Sequence, residues 1–292
     1  MLHSECPHCL AERISGSSYV RFGFYYRTGD SRWIQRFQCR ICKGTCSRAT
    51  FNRWFRHKKR KKNEALRRHF ASAGTIRRAA RTFKLNRKTV ERKLMVLGFE
   101  AECNLRINNH YSAKSRVIEF DDLETFEHTK CKPLSVTLAV QSRTRRILGL
   151  EVSRMPAKGL LVEKARKYGP RVDERHLGRA RLFRTLQDLV VEDAVIKSDS
   201  NPHYPGDVKK FFPKARHVTY QSRRSSLGGQ GELKKTIFDP LFSLNHTCAM
   251  FRANVSRLVR KTWCTTKRTD RLYAHLMIYA DYHNQHLKPV LA

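Results

Sequence analysis

The stretch from Val117 to Arg154 restricts the fold of this chain more than any other part of the sequence. It opens with the β-favouring letters VIEF, and two further β-rich runs follow at Leu134–Gln141 and Ile147–Val152. Only SRTRR separates the last two runs, a connection short enough to join antiparallel neighbours. The stretch therefore predicts a β-meander at the centre of a larger domain.

Three acidic residues lie in the first strand of this meander. Glu119, Asp121 and Asp122 stand where a buried strand normally carries apolar side chains. Burying a charge is unfavourable unless a partner neutralises it, and a divalent cation is a suitable partner for carboxylates. The strand is therefore predicted to be a catalytic platform. The alternative is that Asp121 or Asp122 forms a salt bridge with a basic surface.

The overall charge indicates the class of partner. The 292 residues include 60 Lys+Arg and 25 Asp+Glu, which gives a formal net charge of +35 and a pI near 10.4. Such a chain attracts polyanions, and no amphipathic anchor or long apolar run accompanies the charge, so nucleic acid is favoured over membrane. The N-terminus lacks the apolar segment of a signal peptide. We expect a soluble, cytoplasmic protein.

Two Cys-x-x-Cys pairs near the N-terminus form a metal-binding pattern. Cys6 and Cys9 make the first pair, and Cys39 and Cys42 the second. Four thiolates in this arrangement are typical of a structural zinc site, and the β-rich residues between the pairs predict a hairpin within a zinc ribbon over residues 1–50. Structural thiols or disulfides are the alternative. His8 and Cys46 are possible substitute ligands, and the other cysteines are interpreted as packing residues.

A helical segment follows a basic linker or phosphate-contacting arm at 51–62. Residues 63–98 show three helical stripes with short turns between them, which predicts a helix-turn-helix domain. A simple three-helix bundle is the alternative. Residues 99–116 are predicted to be an interdomain linker, and 117–292 to be the third domain. The candidate contacts to the groove and phosphates of DNA are Arg87, Lys88, Glu91 and Arg92.

The third domain continues with alternating helices and strands. Helices are predicted at Leu160–Tyr168, Leu182–Val190 and Asp207–Phe212, and strands at Ala194–Lys197 and Ala215–Tyr220. The first of these strands ends in Asp199, and ligands are commonly held at such a strand end in an α/β sheet. Asp199 could instead cap the turn that follows.

The last part of the chain predicts two helices. Leu244–Lys261 is amphipathic, and Asn245 and Arg252, seven residues apart, lie on one of its faces. Aromatic and aliphatic residues between Trp263 and Tyr279 predict a closing helix. Asn245 could serve only as the N-cap of its helix.

This order of elements resembles the insertion-sequence transposases of the DDE type. The resemblance covers nearly the whole chain, and the matching stretches are FDDLE at 120–124, KSD at 197–199, and LNHT at 244–247 continuing to Arg252 and to RLVRKT at 257–262. It rests on the order of the elements more than on a single motif. The fold it implies is α/β: an RNase H-like catalytic domain preceded by a zinc ribbon and a helix-turn-helix domain.

The resemblance also implies a catalytic site. Asp121, Asp199 and the residue at Asn245 would hold two Mg²⁺ or Mn²⁺ ions for phosphoryl transfer, and Arg252 would contact a phosphate or brace the site. This chain departs from the usual acidic triad because Asn245 stands where Glu is commoner, although some lineages of these transposases use Asn. Glu232 is the rival third ligand.

Three functions follow from these expectations. The first is a transposase that binds terminal inverted repeats in double-stranded DNA and cuts and joins DNA strands; it implies at least a dimer on DNA and association with the nucleoid. The second is a transposase-derived, catalytically inactive protein that binds specific DNA sequences, which Asn245 in place of Glu favours. The third is a structure-selective nuclease that uses the same two-metal fold.

Overall fold

The computed structural model describes residues 6–9, 19–28, 31–51, 54–55, 57–221, 239–259 and 268–287. Contacts within the chain define two compact units, Met1–Glu64 and Ala65–Ala292. No helix among the described residues is long and apolar enough to cross a membrane.

The first unit contains a small antiparallel sheet. Its strands are β1 (Tyr19–Arg27), β2 (Arg32–Cys39) and β3 (Thr45–Ser47), in the order β1-β2-β3. Single turns of 3₁₀ helix follow at Arg48–Phe51 and Arg60–Lys62. The hairpin expected between the two cysteine pairs is therefore present. The buried side chains beneath this sheet are Cys6, Tyr19, Cys39 and Cys46.

A five-stranded mixed sheet forms the centre of the second unit. Its strand order is β6-β5-β4-β7-β8; the first three strands are antiparallel, and β7 and β8 run parallel to β4. The expected meander is confirmed, and the sheet with its helices is consistent with the RNase H-like domain that the resemblance implies. The strands are β4 (Ser115–Phe126), β5 (Pro133–Gln141), β6 (Ile147–Arg154), β7 (Val190–Asp199) and β8 (Arg216–Tyr220).

The described residues include eight α-helices. They are α1 (Asn63–Ala71), α2 (Ile76–Thr82), α3 (Arg87–His110), α4 (Leu161–Ala165), α5 (Arg175–Gln187), α6 (Tyr204–Phe211), α7 (Phe242–Asn254) and α8 (Thr269–His286). A 3₁₀ turn at Arg166–Tyr168 extends α4. Helices therefore occur in every region where the sequence predicts one, but several of their ends differ.

The largest differences between expected and observed helix ends concern α5 and α7. The sequence predicts a helix at Leu182–Val190, but α5 already begins at Arg175, and residues 190 onward belong to β7. The helix expected over Leu244–Lys261 ends at Asn254, where Val255 becomes extended. Residues 260–267, including Trp263, lie outside the described residues.

Helix α3 replaces the linker expected at residues 99–116. The helix continues without a break to His110, and β4 begins at Ser115. The physical reason is that the buried stripe of the helix continues beyond Leu97, with Ala101 and Leu105 each four residues further on and fully or almost fully buried. The 63–98 segment and the sheet thus share one long helix.

Helices α3 and α8 cross at very small residues. A Cβ atom added to Gly98 would lie only 2.5 Å from the Cβ of Ala274 and 2.6 Å from its Cα. Glycine is therefore required at this crossing, because any larger side chain would push the two helices apart.

A buried carboxylate joins three helices of the second unit. Asp281 of α8 is 1% exposed and forms an ion pair with Arg67 of α1. It also accepts hydrogen bonds from Asn104 of α3 at 3.2 Å and from Gln285 at 2.8 Å. A buried ion pair is favourable only when further hydrogen bonds complete it, as they do here. The interaction fixes α1, α3 and α8 relative to one another.

Candidate active site and zinc centre

The acids Asp121 and Asp199 lie on neighbouring strands, Asp121 in the middle of β4 and Asp199 at the end of β7. Strands β4 and β7 pair in parallel, with Glu119 opposite Lys197. Asp121 and Asp199 each come two residues later, and β7 ends at Asp199. Parallel pairing therefore brings two carboxyl groups, far apart in sequence, together at the carboxyl end of β7, and α/β proteins commonly hold ligands at such a strand end.

The two carboxyl groups repel each other in a partly buried place. Burial raises the pKa of Asp121 to about 7, and the negative charge of Asp199 contributes to the increase. Burial also raises the pKa of Asp199, with a contribution from Asp122. Among the described residues, neither Asp121 nor Asp199 forms an ion pair with a basic side chain. Such an arrangement favours binding of a cation between the two acids.

A buried tyrosine orients Asp121. The Tyr204 hydroxyl donates a hydrogen bond of 3.1 Å to Asp121 Oδ1, and the backbone N–H of Asp122 donates one of 2.7 Å to the same oxygen. The Tyr204 ring is fully buried and packs against Phe120, with 4.7 Å between ring centroids. The sequence alone leaves the role of Tyr204 open, because its partner is 83 residues away.

The neighbouring Asp122 has a different environment. Its carboxylate accepts a 2.5 Å hydrogen bond from the Thr137 hydroxyl and lies 3.7 Å from the buried guanidinium of Arg179. Arg179 also binds Asp207 of α6 at 2.6 Å, and it lies over the Tyr204 ring at 5.4 Å. Asp122 therefore has a basic neighbour, which Asp121 lacks among the described residues, but its buried Oδ2 accepts no hydrogen bond there. The pairing with Arg179 is not visible in the sequence, because Arg179 belongs to a helix that begins earlier than predicted.

The third acid of β4, Glu119, fixes the start of α7. Its buried carboxylate accepts a 2.6 Å hydrogen bond from the Ser142 hydroxyl and a 2.9 Å bond from the Leu244 backbone N–H. A carboxylate at the N-terminus of a helix is further stabilised by the helix dipole. One turn later, burial and the nearby negative charge of Asp121 raise the pKa of the Cys248 thiol to about 12. Helix α7 therefore runs along β4 towards Asp121.

The structure places Asn245 on the exposed side of α7. Its side-chain amide donates a 2.9 Å hydrogen bond to Asp239 Oδ2, and neither Asp121 nor Asp199 is its partner. Arg252 lies two turns further along α7 and is half-buried. Its positive charge lowers the pKa of Cys248, whereas burial and the charge of Asp121 raise it. Arg252 is thus near the acidic edge of the sheet. Glu232, the rival third ligand, lies outside the described residues.

The candidate DNA contacts lie in the first two turns of α3. Asn86 caps this helix by accepting a 2.9 Å hydrogen bond from the Lys88 backbone N–H. The side chains of Lys88 and Arg92 are exposed. Arg87 forms an ion pair of 3.1 Å with Glu91, and Glu91 lies 3.4 Å from Arg271 of α8. Glu91 therefore connects two helices within the protein.

The four predicted zinc ligands come together in the first unit. The sulfur atoms of Cys6, Cys9, Cys39 and Cys42 all lie within 4.8 Å of one another. Two of the distances are 3.7 Å, between Cys6 and Cys42, and 4.0 Å, between Cys9 and Cys39. A tetrahedral ion with Zn–S bonds of about 2.3 Å requires sulfur atoms about 3.8 Å apart. The donor set therefore fits Zn²⁺.

Backbone N–H groups surround these sulfur atoms. His8 N–H donates to Cys6 Sγ at 3.5 Å, and Gly44 N–H donates to Cys42 Sγ at 3.4 Å. Gly44 has no room for a side chain, because an added Cβ would lie 2.7 Å from the His8 ring. The His8 ring is itself bonded to the Thr45 carbonyl at 3.0 Å. His8 and Cys46 lie near the four sulfurs but are not members of the cluster.

Comparisons with known proteins give little beyond this geometry. No protein-family model matches the sequence, and no curated protein matches it at a significant level. Among solved structures, the chain is similar to the crystal structure of a pre-cleavage Mos1 transpososome, with 11% identity, coverage of 77% of each chain and a TM-score of 0.26. A similarity this low assigns neither a fold nor an activity.

Replacing Cys39 by serine is expected to remove the zinc. The purified wild-type protein should contain one zinc per chain by elemental analysis. Cys39→Ser should contain far less, and its first unit should be digested rapidly by protease, because the metal supplies much of the folding free energy of such a small unit. Cys46→Ser is the matched control, since Cys46 is also buried but lies outside the cluster. Equal zinc contents in Cys39→Ser and wild type would contradict the assignment.

The pKa of Asp121 predicts a pH dependence of stability. Its carboxyl group has a pKa of about 7 in the folded protein and an ordinary value of 3.8. Since the folded state holds the proton more tightly, stability should fall as pH rises from the ordinary value towards 7 and then level off. Asp121→Asn, without added Mg²⁺ or Mn²⁺, should be more stable than wild type at pH 7.5 by about 1–3 kcal/mol.

Urea denaturation at pH 7.5 and pH 5 provides the measurement. The difference between Asp121→Asn and wild type should shrink at the lower pH, because wild-type Asp121 is then protonated. Asp193→Asn, an exposed position on β7, is the control and should not change stability. A destabilised Asp121→Asn at pH 7.5 would show that the Asp121 charge is well accommodated without a cation.

Proposed function

We propose that this protein is a transposase that cuts and joins DNA with the help of divalent cations, in a catalytic domain of the RNase H-like class. The observation that carries the proposal is the pair of acids on β4 and at the end of β7. Asp121 is largely buried and has a raised pKa, it adjoins Asp199, and neither acid has a basic partner among the described residues.

The residues at this edge of the sheet suit Mg²⁺ or Mn²⁺. Both cations prefer oxygen ligands, and the site offers carboxylates from two rigid strands. Tyr204 and the Asp122 N–H both bind Oδ1 of Asp121, so that Oδ2 is the oxygen for a cation. When bound, such cations activate the attacking oxygen and stabilise the leaving oxygen in phosphoryl transfer.

The remaining side chains have supporting roles in the proposal. Arg179 lies near both Asp207 and Asp122, and the cation is assigned to Asp121 and Asp199, which have no basic partner among the described residues. Arg252 contacts a phosphate of the DNA or braces the site. Asn245 is assigned as the third ligand, for which its amide must exchange Asp239 for the cation.

DNA is the substrate that the charge of the chain favours. The net charge of +35 provides a strong, salt-dependent attraction to phosphates. Helices α2 and α3 act as a helix-turn-helix in which Arg87, Lys88 and Arg92 contact the element ends, and the zinc ribbon adds to the same function. Joining two ends to a target requires two active sites, so we expect at least a dimer on double-stranded DNA, in the cytoplasm and at the nucleoid.

The environment of Asn245 favours a second candidate function. Its amide is exposed and bonded to Asp239, and an amide contributes no negative charge to a cation site. A transposase-derived protein that binds specific DNA sequences without cutting them fits this observation. The two candidates share the N-terminal DNA-binding segments and differ only in the chemistry at Asp121 and Asp199.

A strand-transfer assay tests the proposal. Labelled duplexes carrying the element ends are incubated with target DNA in Mg²⁺ or Mn²⁺. Wild type should join ends to target, and Asp199→Ala should join them at least about a hundredfold more slowly, because it lacks one carboxylate of the cation site. Binding to the ends should be unchanged, since Asp199 is remote in sequence from the DNA-binding helices.

Asp193→Ala is the matched control, because Asp193 belongs to the same strand but is exposed. It should join ends as well as wild type does. End binding by wild type without any joining would favour the DNA-binding protein. Cleavage of branched DNA without joining would favour a nuclease instead.

A further inference from the structure

One face of the small sheet in the first unit carries exposed aromatic rings. Tyr26 pairs with Trp33 across β1 and β2, and Phe24 lies two residues before Tyr26, so the three side chains share one face. They are 59% (Phe24), 49% (Tyr26) and 70% (Trp33) exposed. Large aromatic side chains grouped at the surface mark a binding surface. We call these three residues the aromatic face.

The segment that carries the aromatic face is strongly basic. Residues 19–51 include seven Lys or Arg and a single acidic residue, Asp30. The guanidinium of Arg36 lies 5.3 Å from the centre of the Phe22 ring, on the face of β2 opposite to Trp33, so the small sheet is basic as well as aromatic. This combination favours a polyanion. In the absence of nucleic acid, a second copy of the chain, which also carries +35, would be repelled.

The rings also distinguish between forms of nucleic acid. In a duplex, the flat faces of the bases are stacked on one another and cannot be reached by side chains on a rigid sheet. Unpaired bases expose these faces, and aromatic rings beside basic residues bind them by stacking with little dependence on sequence. The aromatic face therefore suits single strands better than duplexes.

We propose that the aromatic face binds single-stranded DNA by stacking unpaired bases on Phe24, Tyr26 and Trp33. The choice of DNA over RNA rests on the proposed function, in which strands are separated and joined at element ends. The binding itself is distinct from the chemistry at Asp121 and Asp199. It gives the first unit a role beyond holding zinc.

Fluorescence anisotropy with the full chain tests this inference. The probes are labelled dT20, a labelled duplex of equal length and labelled rU20. Trp33→Ala should bind dT20 about five- to a hundredfold more weakly than wild type, because the variant can no longer stack one of the bases. Its affinity for the duplex should remain within about twofold, because the duplex is bound through phosphates elsewhere.

Two controls separate stacking from unfolding. Trp33→Phe keeps a ring and should recover most of the dT20 affinity, and zinc content should be the same in all variants. Tyr111→Ala removes an aromatic ring that is 85% exposed but directly follows α3 in the second unit, and it should bind dT20 as wild type does.

Several results would overturn the inference. The first is unchanged dT20 binding by Trp33→Ala, and the second is an equal loss of affinity for dT20 and for the duplex in that variant. The third is tighter binding of rU20 than of dT20 by wild type. The fourth is a wild-type dimer that becomes monomeric in Trp33→Ala while dT20 binding is unchanged. The last result would make the aromatic face an interface between two copies. None of these outcomes depends on whether the protein joins DNA ends, so the proposed function is tested separately.

Discussion

The parallel pairing of β4 with β7 is the constraint on which the proposed active site depends. With Glu119 opposite Lys197, Asp121 in the middle of β4 lies beside Asp199 at the carboxyl end of β7. No local sequence preference could bring these residues together, because nearly eighty positions separate them. The repulsion between the two carboxyl groups is tolerated because hydrogen bonds from Tyr204 and from backbone N–H groups hold both acids in place.

Helix α3 has a comparable role for the rest of the second unit. It begins with the candidate DNA contacts, crosses α8 where Gly98 meets Ala274, and ends beside the sheet, where Asn109 donates hydrogen bonds to the carbonyls of Ile147 and Leu148. The buried Asp281 carboxylate fixes this helix against α1 and α8. A continuous helix transmits position well, since its backbone hydrogen bonds resist bending. Contacts made by the start of α3 are therefore rigidly connected to the strands that carry the acids.

Much of this architecture follows from local patterns in the sequence. Alternating β-branched residues predict the meander, and the spacing of the cysteines predicts the sulfur cluster, because both patterns are local and periodic. The linker expected at 99–116 shows the limit of such reasoning. The stripe of Ala101 and Leu105 is sparse, and its burial depends on α8, which lies far away in sequence.

The candidate site divides in the same way. Asp121 and Asp199 could be proposed from the sequence, because each is an acid on or at the end of an apolar strand. The roles of Tyr204 and Arg179 could not, since both act through tertiary contacts with β4. The hydrogen bond between Asn245 and Asp239 could not be predicted from the sequence either. Because of this bond, Asn245 would have to change its partner to act as the proposed third ligand.

Anomalous X-ray diffraction from crystals soaked in Mn²⁺ tests most directly whether Asp121 and Asp199 hold a cation. We expect an anomalous peak that lies close to carboxylate oxygens of both Asp121 and Asp199. The distance from the peak to each oxygen should be about 2.0–2.2 Å, as is typical of small divalent cations. A peak beside Asp239 instead, or no peak between Asp121 and Asp199, would show that these two acids do not form a cation site.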